Sequence, residues 1–307
     1  MGFTTRFAPS PTGELHLGHA FAAMVAEAWA RLSGGRFLLR IDDLDHTRRR
    51  PEYERGIYED LAWLGLKHEP QVRRQSDCMA EYAAAIDRLR DLCVLYPCFC
   101  TRAEIQAELA AMAGAPQGPE GPLYPGTCRP PSPLRGTPPE RFALGGDESR
   151  PFAWRIDVER AMAASPPSQN SSGILALTQE EDMTALGDAV LSRKEMPASY
   201  HLAVVVDDAA TGVTLVTRGA DLESATGLHV LLQRLLGLPT PHYAHHRLIT
   251  DDQGRRLAKR DKARSLASLR AQGATPEDVR EMVNWREMER HIATEGLRAI
   301  AATRLID

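Results

Sequence analysis

The chain has 307 residues, 43% of them hydrophobic and 25% charged, and a formal net charge of −4 at pH 7. That length supports one large or two modest domains with a sizeable core, and the composition is ordinary for a soluble globular enzyme. The slight acidity excludes bulk attraction to nucleic acid, so any RNA contact must come from local basic patches such as Arg48-Arg49-Arg50 or Arg255 to Arg264. No apolar run reaches the roughly 18–20 residues that span a bilayer. The N-terminus runs straight into a strand pattern, with no signal-peptide pattern before it. The five cysteines, odd in number and clustered, fit a reducing cytoplasm and a metal site better than a disulfide framework.

Residues 3–8 read as a buried strand ending at Pro9. Gly18 to Leu32 predicts a helix, with Phe21, Met24, Val25, Ala28 and Leu32 on one apolar stripe. Gly34-Gly35 stops it, and Arg36 to Ile41 predicts the next strand. Such a βαβ unit implies a parallel sheet with a right-handed crossover, and a ligand site beyond the carboxyl ends of its strands. His16-Leu17-Gly18-His19 and Asp42-Asp43-Leu44-Asp45 both fall at that edge. Helices are expected near 52–64 and 77–95, and Thr101 with Glu104 forms a capping-box signature for a helix over 102–113.

Residues 114–140 hold nine prolines and five glycines, which predicts extended loop with neither helix nor sheet. Ala164 to Gly173 is a second flexible stretch, rich in Ser, Pro and Asn. Strands are expected over Phe152–Val158, His201–Val206 and Val213–Thr217. A helix over Leu222–Leu236 and a helical tail over Thr275–Ile300 follow. The resulting fold class is α/β, with a Rossmann-type parallel sheet split by an insertion. Residues 1–95 are the first half of the nucleotide-binding domain and 96–190 the inserted subdomain. Residues 191–264 are the second half and 265–307 a short helical tail.

Two distant segments point to chemistry. A helix N-terminus carries unpaired N–H groups and partial positive charge, and so attracts anions. Gly18 lets a nucleotide approach the backbone, and His16 and His19 can donate to phosphate oxygens. Attack of a carboxylate on the α-phosphorus of ATP builds negative charge, and donors that strengthen with that charge lower the barrier. Lys259 and Arg260, within Arg256-Leu257-Ala258-Lys259-Arg260-Asp261, supply cations for the leaving pyrophosphate.

Arg6 to His19 resembles the "HIGH" signature of class I aminoacyl-tRNA synthetases, and Arg256 to Arg260 resembles their "KMSKS" signature. Arg6-Phe7-Ala8-Pro9-Ser10-Pro11-Thr12-Gly13 with Arg40-Ile41-Asp42-Asp43-Leu44-Asp45 is similar to the glutamyl-tRNA synthetase branch. The resemblance extends over residues 3–270. It implies L-glutamate and ATP with Mg2+ as substrates, and a glutamate pocket of Arg6, Phe7, Ala8, Pro9, Ser10, Asp42, Tyr200 and Arg218. Arginine suits the side-chain carboxylate through bidentate charge-assisted bonds. Asp42 would face the ammonium, and Ser10 and Tyr200 would offer hydroxyls. Two positions depart from the family: Asp42 stands where glutamate is usual, and Ala258 where serine is common. Asp207-Asp208 also matches the family, with no role assignable from sequence.

Cys98, Cys100 and Cys128 place three thiols where a loop can fold around zinc, whose tetrahedral closure needs a fourth ligand. No histidine occurs between His68 and His201, so a tyrosine oxygen, a carboxylate or a water must serve. The pattern resembles the zinc site of the small glutamyl-queuosine tRNA(Asp) synthetases, which implies Tyr124 as that ligand in a structural Zn2+ site. Cys78 and Cys93 fall in predicted helices and read as buried apolar residues.

After Asp261 there are 46 residues, 262–307, too few for the large helical anticodon-binding domain of a full glutamyl-tRNA synthetase. The small family shares that truncation. The resemblance therefore implies a cytoplasmic, monomeric ligase that forms glutamyl-adenylate and transfers glutamate to queuosine in the anticodon of tRNA(Asp). The alternatives are a truncated synthetase charging tRNA(Glu) at its 3′ end, or a non-catalytic paralogue binding tRNA or glutamate.

Overall fold

A computed structural model describes residues 2–112, 114–115, 117–118, 121–130, 151–166, 187–193, 196, 198–250 and 265–303. The chain opens with β1 (Thr4–Phe7), buried throughout, followed by α1 (Leu17–Ser33) and β2 (Arg36–Ile41). The two strands pair in parallel, with Thr4 opposite Arg36 and Phe7 opposite Leu39. The apolar stripe of α1 is wider than amphipathic spacing requires, because neighbours cover several of its faces; Phe21, Ala23 and Ala28 are fully buried. Gly34 ends the helix in the left-handed conformation at φ 70°, as a C-terminal glycine cap requires.

α2 (Pro51–Trp63) starts with proline in its first turn, and β3 (Arg73–Arg74) extends the parallel sheet beside β2. α3 (Met79–Asp91) is shorter than the predicted 77–95 helix. The chain turns through Cys93, at φ 55°, and runs into an unpredicted strand, β4 (Leu95–Cys98). Cys78 is buried at the start of α3, whereas Cys93 lies outside any helix and is only half-buried. α4 (Arg102–Ala111) carries the expected capping box of Thr101 and Glu104.

The proline-rich region does contain sheet, contrary to expectation. β5 (Gln117–Gly118) and β6 (Gly121–Pro122) pair as a minimal hairpin, since a two-residue pairing needs few backbone donors. β7 (Ala153–Ile156), α5 (Val158–Ala164) and β8 (Val190–Arg193) follow. β4, β7 and β8 form an antiparallel sheet inserted between the two parallel halves. From residue 167 onward, the Ser/Pro/Asn-rich stretch lies outside the described residues.

The expected strand His201–Val206 is instead part of a helix, α6 (Tyr200–Ala210), capped by Ser199. Its run of valines reads as strand, but Leu202 to Val205 are all buried in succession, because α6 is enclosed on several sides. β9 (Leu215–Gly219) leads through a 3-10 turn over 220–225 to α7 (Thr226–Leu236) and β10 (His242–His246), which pairs in parallel with β9. The Thr214 N–H donates to the Thr4 carbonyl at 2.9 Å, and the Thr4 N–H to Thr214 Oγ1 at 2.9 Å. β9 therefore starts beside β1, giving the sequence β3-β2-β1 then β9-β10. The order of strands turns between β1 and β9, where open α/β sheets form a ligand crevice.

The predicted helical tail divides into α8 (Leu266–Ala271), α9 (Pro276–Met282) and α10 (Trp285–Thr303), with Asn284 at φ 50° between the last two. Val279, Trp285 and Ile292 join the core around α1. A second core lies where α3, α6 and α7 meet the inserted sheet. Among the described residues, no helix is long and apolar enough to cross a membrane.

Candidate active site

A cleft of about 600 Å³ opens at the carboxyl ends of β1, β2 and β9. Arg6, Phe7, Ala8, Pro9, Ser10, His16, Gly18, His19, Asp42, Tyr200 and Arg218 all line it. Lys259 and Arg260 lie outside the described residues. The described ends of their segment come to the same place. Ile249 lines the cleft, Ser265 pairs with His16, and the Leu266 N–H donates to the Leu15 carbonyl at 2.8 Å.

The two histidines are held by a reciprocal cap at the start of α1. His16 Nδ1 accepts the Gly18 N–H at 3.1 Å, and His19 Nδ1 accepts the His16 N–H at 3.1 Å. Each Nδ1 is thus an acceptor, which places the ring proton on Nε2. The rings lie 3.9 Å apart between centroids, so two Nε2–H donors stand together at a positive helix end. Gly18 has a second reason to be glycine: a Cβ there would lie 3.1 Å from His16 Cε1 and 3.2 Å from Nδ1.

Behind the histidines lies a buried ion network that includes a residue sequence reasoning missed. Arg6 binds Asp208 through Nε–Oδ1 at 2.9 Å and donates to the Thr217 carbonyl at 3.1 Å. Arg40, only 2% exposed, joins Asp42 (2.7 Å) to Asp208 (2.5 Å). Burial pushes the Asp42 carboxyl up, and Arg40 opposes that shift only in part. An arriving ammonium would supply the missing stabilisation. Asp208 is also penalised by burial, but Arg6 and Arg40 outweigh this and hold its carboxyl low. The adjacent Asp207 takes Arg73 at 2.8 Å, Gln75 at 2.8 Å and Tyr82 at 2.8 Å, tying α6 to β3 and α3. The two aspartates in an otherwise apolar stretch were the signal.

Arg218 is different. It is buried, yet no carboxylate among the described residues lies within ion-pair distance. It donates to His245 Nε2 at 3.1 Å, His229 Nδ1 at 2.9 Å and Thr226 Oγ1 at 2.6 Å, with its guanidinium 5.0 Å over the Tyr243 ring. Burial pushes its pKa down, and the Tyr200 and Tyr243 phenols oppose that shift only in part. Tyr200, 40% exposed, stands at the mouth. The cleft can therefore receive an anion at Arg218, a cation at Asp42 and phosphates at the histidines.

The cysteine cluster lies on the inserted part. The Sγ atoms of Cys98, Cys100 and Cys128 all fall within 4.8 Å of one another. Tyr124 Oη is 3.4 Å from Cys98 Sγ and 3.5 Å from Cys100 Sγ. Burial pushes the Cys100 thiol up to about 11, whereas at Cys128 burial is outweighed by hydrogen bonds from the Phe99 backbone and Tyr124, which hold its thiol low. The Arg155 guanidinium stacks 3.8 Å over the Tyr124 ring and fixes it.

The chain matches the family described as "tRNA synthetases class I (E and Q), catalytic domain" over residues 3–306. It is 50% identical over 280 residues to the Glutamyl-Q tRNA(Asp) synthetase of Rhodobacter capsulatus, covering 91% of this chain and 99% of that one. The chain belongs to the glutamyl-Q tRNA(Asp) synthetase branch of the class I tRNA synthetases. It is accordingly a ligase-type enzyme of that family. The protein of the same name from Symbiobacterium thermophilum is 42% identical, with 89% of this chain and 83% of that one covered. Among solved structures, the glutamate-tRNA synthetase of Elizabethkingia anophelis is similar, with a TM-score of 0.68 and 28% identity. That match covers 85% of this chain and 53% of the other, so the chain spans about half that structure's length.

Proposed function

We propose that this synthetase activates L-glutamate with ATP to form glutamyl-adenylate, and then transfers the glutamyl group to queuosine in the anticodon of tRNA(Asp). The observation that carries the reading is the buried Arg218, with no carboxylate partner among the described residues, in one cleft with the two capped histidines. The names of its relatives support the acceptor.

Arg218, with Arg6 beside it, receives the side-chain carboxylate, and Asp42 faces the ammonium. Ser10 and Tyr200 supply hydroxyls, while Phe7, Ala8 and Pro9 shape the wall. The α-carboxylate oxygen then attacks the α-phosphorus and the bond to pyrophosphate breaks. His16, His19 and the backbone at Gly18 bear the charge that builds on the phosphates, and Mg2+ accompanies ATP as its counter-ion. By the resemblance, Lys259 and Arg260 hold the departing pyrophosphate. In the second step a hydroxyl oxygen of the queuosine cyclopentenediol attacks the glutamyl carbonyl, and AMP leaves.

The donor set of Cys98, Cys100, Cys128 and Tyr124 fits zinc: three soft thiolates and one phenol oxygen converge as a tetrahedral site needs. These residues would hold Zn2+ as a structural tie for the proline-rich loop. The division at 1–95, 96–190, 191–264 and 265–307, a cytoplasmic location and a monomeric state complete the reading.

The test is charging with labelled glutamate of tRNA(Asp) from cells with and without queuosine, and of tRNA(Glu). Charging of queuosine-bearing tRNA(Asp) alone is the expected result. Equal charging of tRNA(Asp) lacking queuosine would remove queuosine as the acceptor, and charging of tRNA(Glu) would favour an ordinary truncated synthetase.

A further inference from the structure

We propose that His229 and His245 are positioning residues that make the cleft selective for a side-chain carboxylate, by holding Arg218 through uncharged acceptors. The inference rests on the reading of this cleft as a glutamate site. It starts from a contrast among three buried arginines. Arg6 is 7% exposed and paired with Asp208, and Arg40 is 2% exposed and paired with Asp42 and Asp208. Arg218 is 6% exposed and has no carboxylate partner among the described residues.

Its place is instead fixed by His245 Nε2, His229 Nδ1 and Thr226 Oγ1. These bonds use Nε and one hydrogen on each Nη, leaving a further hydrogen on each Nη to be shared between the Tyr200 hydroxyl and a ligand. An arginine always donates, so His229 Nδ1 must accept, and its Nε2–H then donates to His201 Nδ1 at 3.1 Å. That second bond fixes the tautomer. Burial, reinforced by the Arg218 charge, holds His229 well below its ordinary pKa and His245 at about 4. Both rings are therefore uncharged near neutral pH, and neither neutralises the guanidinium.

A carboxylate in either place would do to Arg218 what Asp208 does to Arg6, and would compete with the substrate. A glutamine side chain offers Arg218 no charge and one acceptor where glutamate offers two, so the same cradle rejects it.

The test is an isosteric pair, His229→Asn and His229→Asp, in the full chain. The asparagine carbonyl oxygen replaces Nδ1 as acceptor, and the aspartate differs from it only in charge. Glutamate-dependent ATP–pyrophosphate exchange without tRNA gives KM for glutamate and for ATP. The expected result is a glutamate KM raised less than about fivefold by asparagine and roughly 100-fold or more by aspartate, with the ATP KM within about twofold in both. Equal glutamate KM values for the two variants would overturn the proposal, because a merely structural role would respond to shape and not to charge. Should either fail to fold, His245→Gln and His245→Glu make the same comparison on a half-buried residue. Absence of exchange in the unmodified chain would instead overturn the glutamate reading beneath it.

Discussion

Arg6 on β1 and Asp208 on α6 are 202 positions apart and meet in a two-pronged ion pair, with Nε–Oδ1 at 2.9 Å and Nη2–Oδ2 at 3.3 Å. Arg40 closes on the same carboxylate from β2. One aspartate thus bridges two buried guanidiniums and fixes the helix carrying Tyr200 against the strand carrying Arg6. Breaking a buried pair from one side costs about 3–5 kcal/mol, because the other charge stays behind. Asp208→Asn should lower the melting temperature on the order of 10 °C. Circular-dichroism melting checks this, and an unchanged midpoint would contradict the network's role.

His16 has two separable tasks, capping α1 through Nδ1 and presenting Nε2–H to the cleft. Asparagine caps helices well, but its shorter side chain places no donor at the Nε2 position. His16→Asn is therefore expected to keep thermal stability within about 1 kcal/mol while slowing adenylate formation roughly 100-fold. A variant that activates glutamate at the original rate would show that Nε2–H takes no part.

Gly18→Ala tests the same separation from the backbone side. Alanine favours a helix over glycine by about 1 kcal/mol, so the fold should not weaken. The new Cβ, however, would press on the His16 ring at 3.1 Å. Displacing that ring should reduce activation by roughly 10- to 100-fold at undiminished melting temperature. Pyrophosphate exchange and a melt on the same preparation decide it.

Much of this site was legible in the sequence because it is local. Arg6, Ser10, His16, Gly18 and His19 follow one another through a strand, a turn and a helix start, and Asp42 ends the adjacent strand. Arg40, His229 and His245 were not legible. Their meaning lies in partners such as Asp208, 168 positions from Arg40, or in Arg218, which the side chains on α7 and β10 hold. The valine run from 204 to 206 suggested a strand for the same kind of reason, since burial on several sides hides helical periodicity. β4 was hidden because its apolar residues continue the helical pattern of α3 beyond Asp91.

Asp60 on α2 carries a pH dependence that can be measured. Burial raises its carboxyl to about 6, with Arg270 opposing from 3.3 Å, and Oδ1 makes no hydrogen bond among the described residues. The folded chain binds the proton more tightly than the unfolded chain, so this group's contribution to stability falls as pH rises from about 4 to about 6. Asp60→Asn should gain stability relative to the original protein at about pH 7.5 and lose that advantage at about pH 4. Urea titrations at the two pH values would show it. A difference independent of pH would contradict the assignment.

The thiol cluster predicts metal content. Purified protein should hold about one zinc per chain, and Cys128→Ser should hold less after dialysis. Zinc binding displaces thiol protons, so affinity should fall as pH falls. Elemental analysis after dialysis at two pH values tests both statements, and metal-free protein of unchanged stability would refute them.

Under the proposed function, this cleft joins glutamate to AMP. Exchange of labelled pyrophosphate into ATP, with glutamate and Mg2+ but no tRNA, tests it most directly. Exchange is expected to require glutamate, to fail with glutamine, and to drop when Arg218 is changed to alanine. Exchange that ignores glutamate, or survives intact without Arg218, would contradict it.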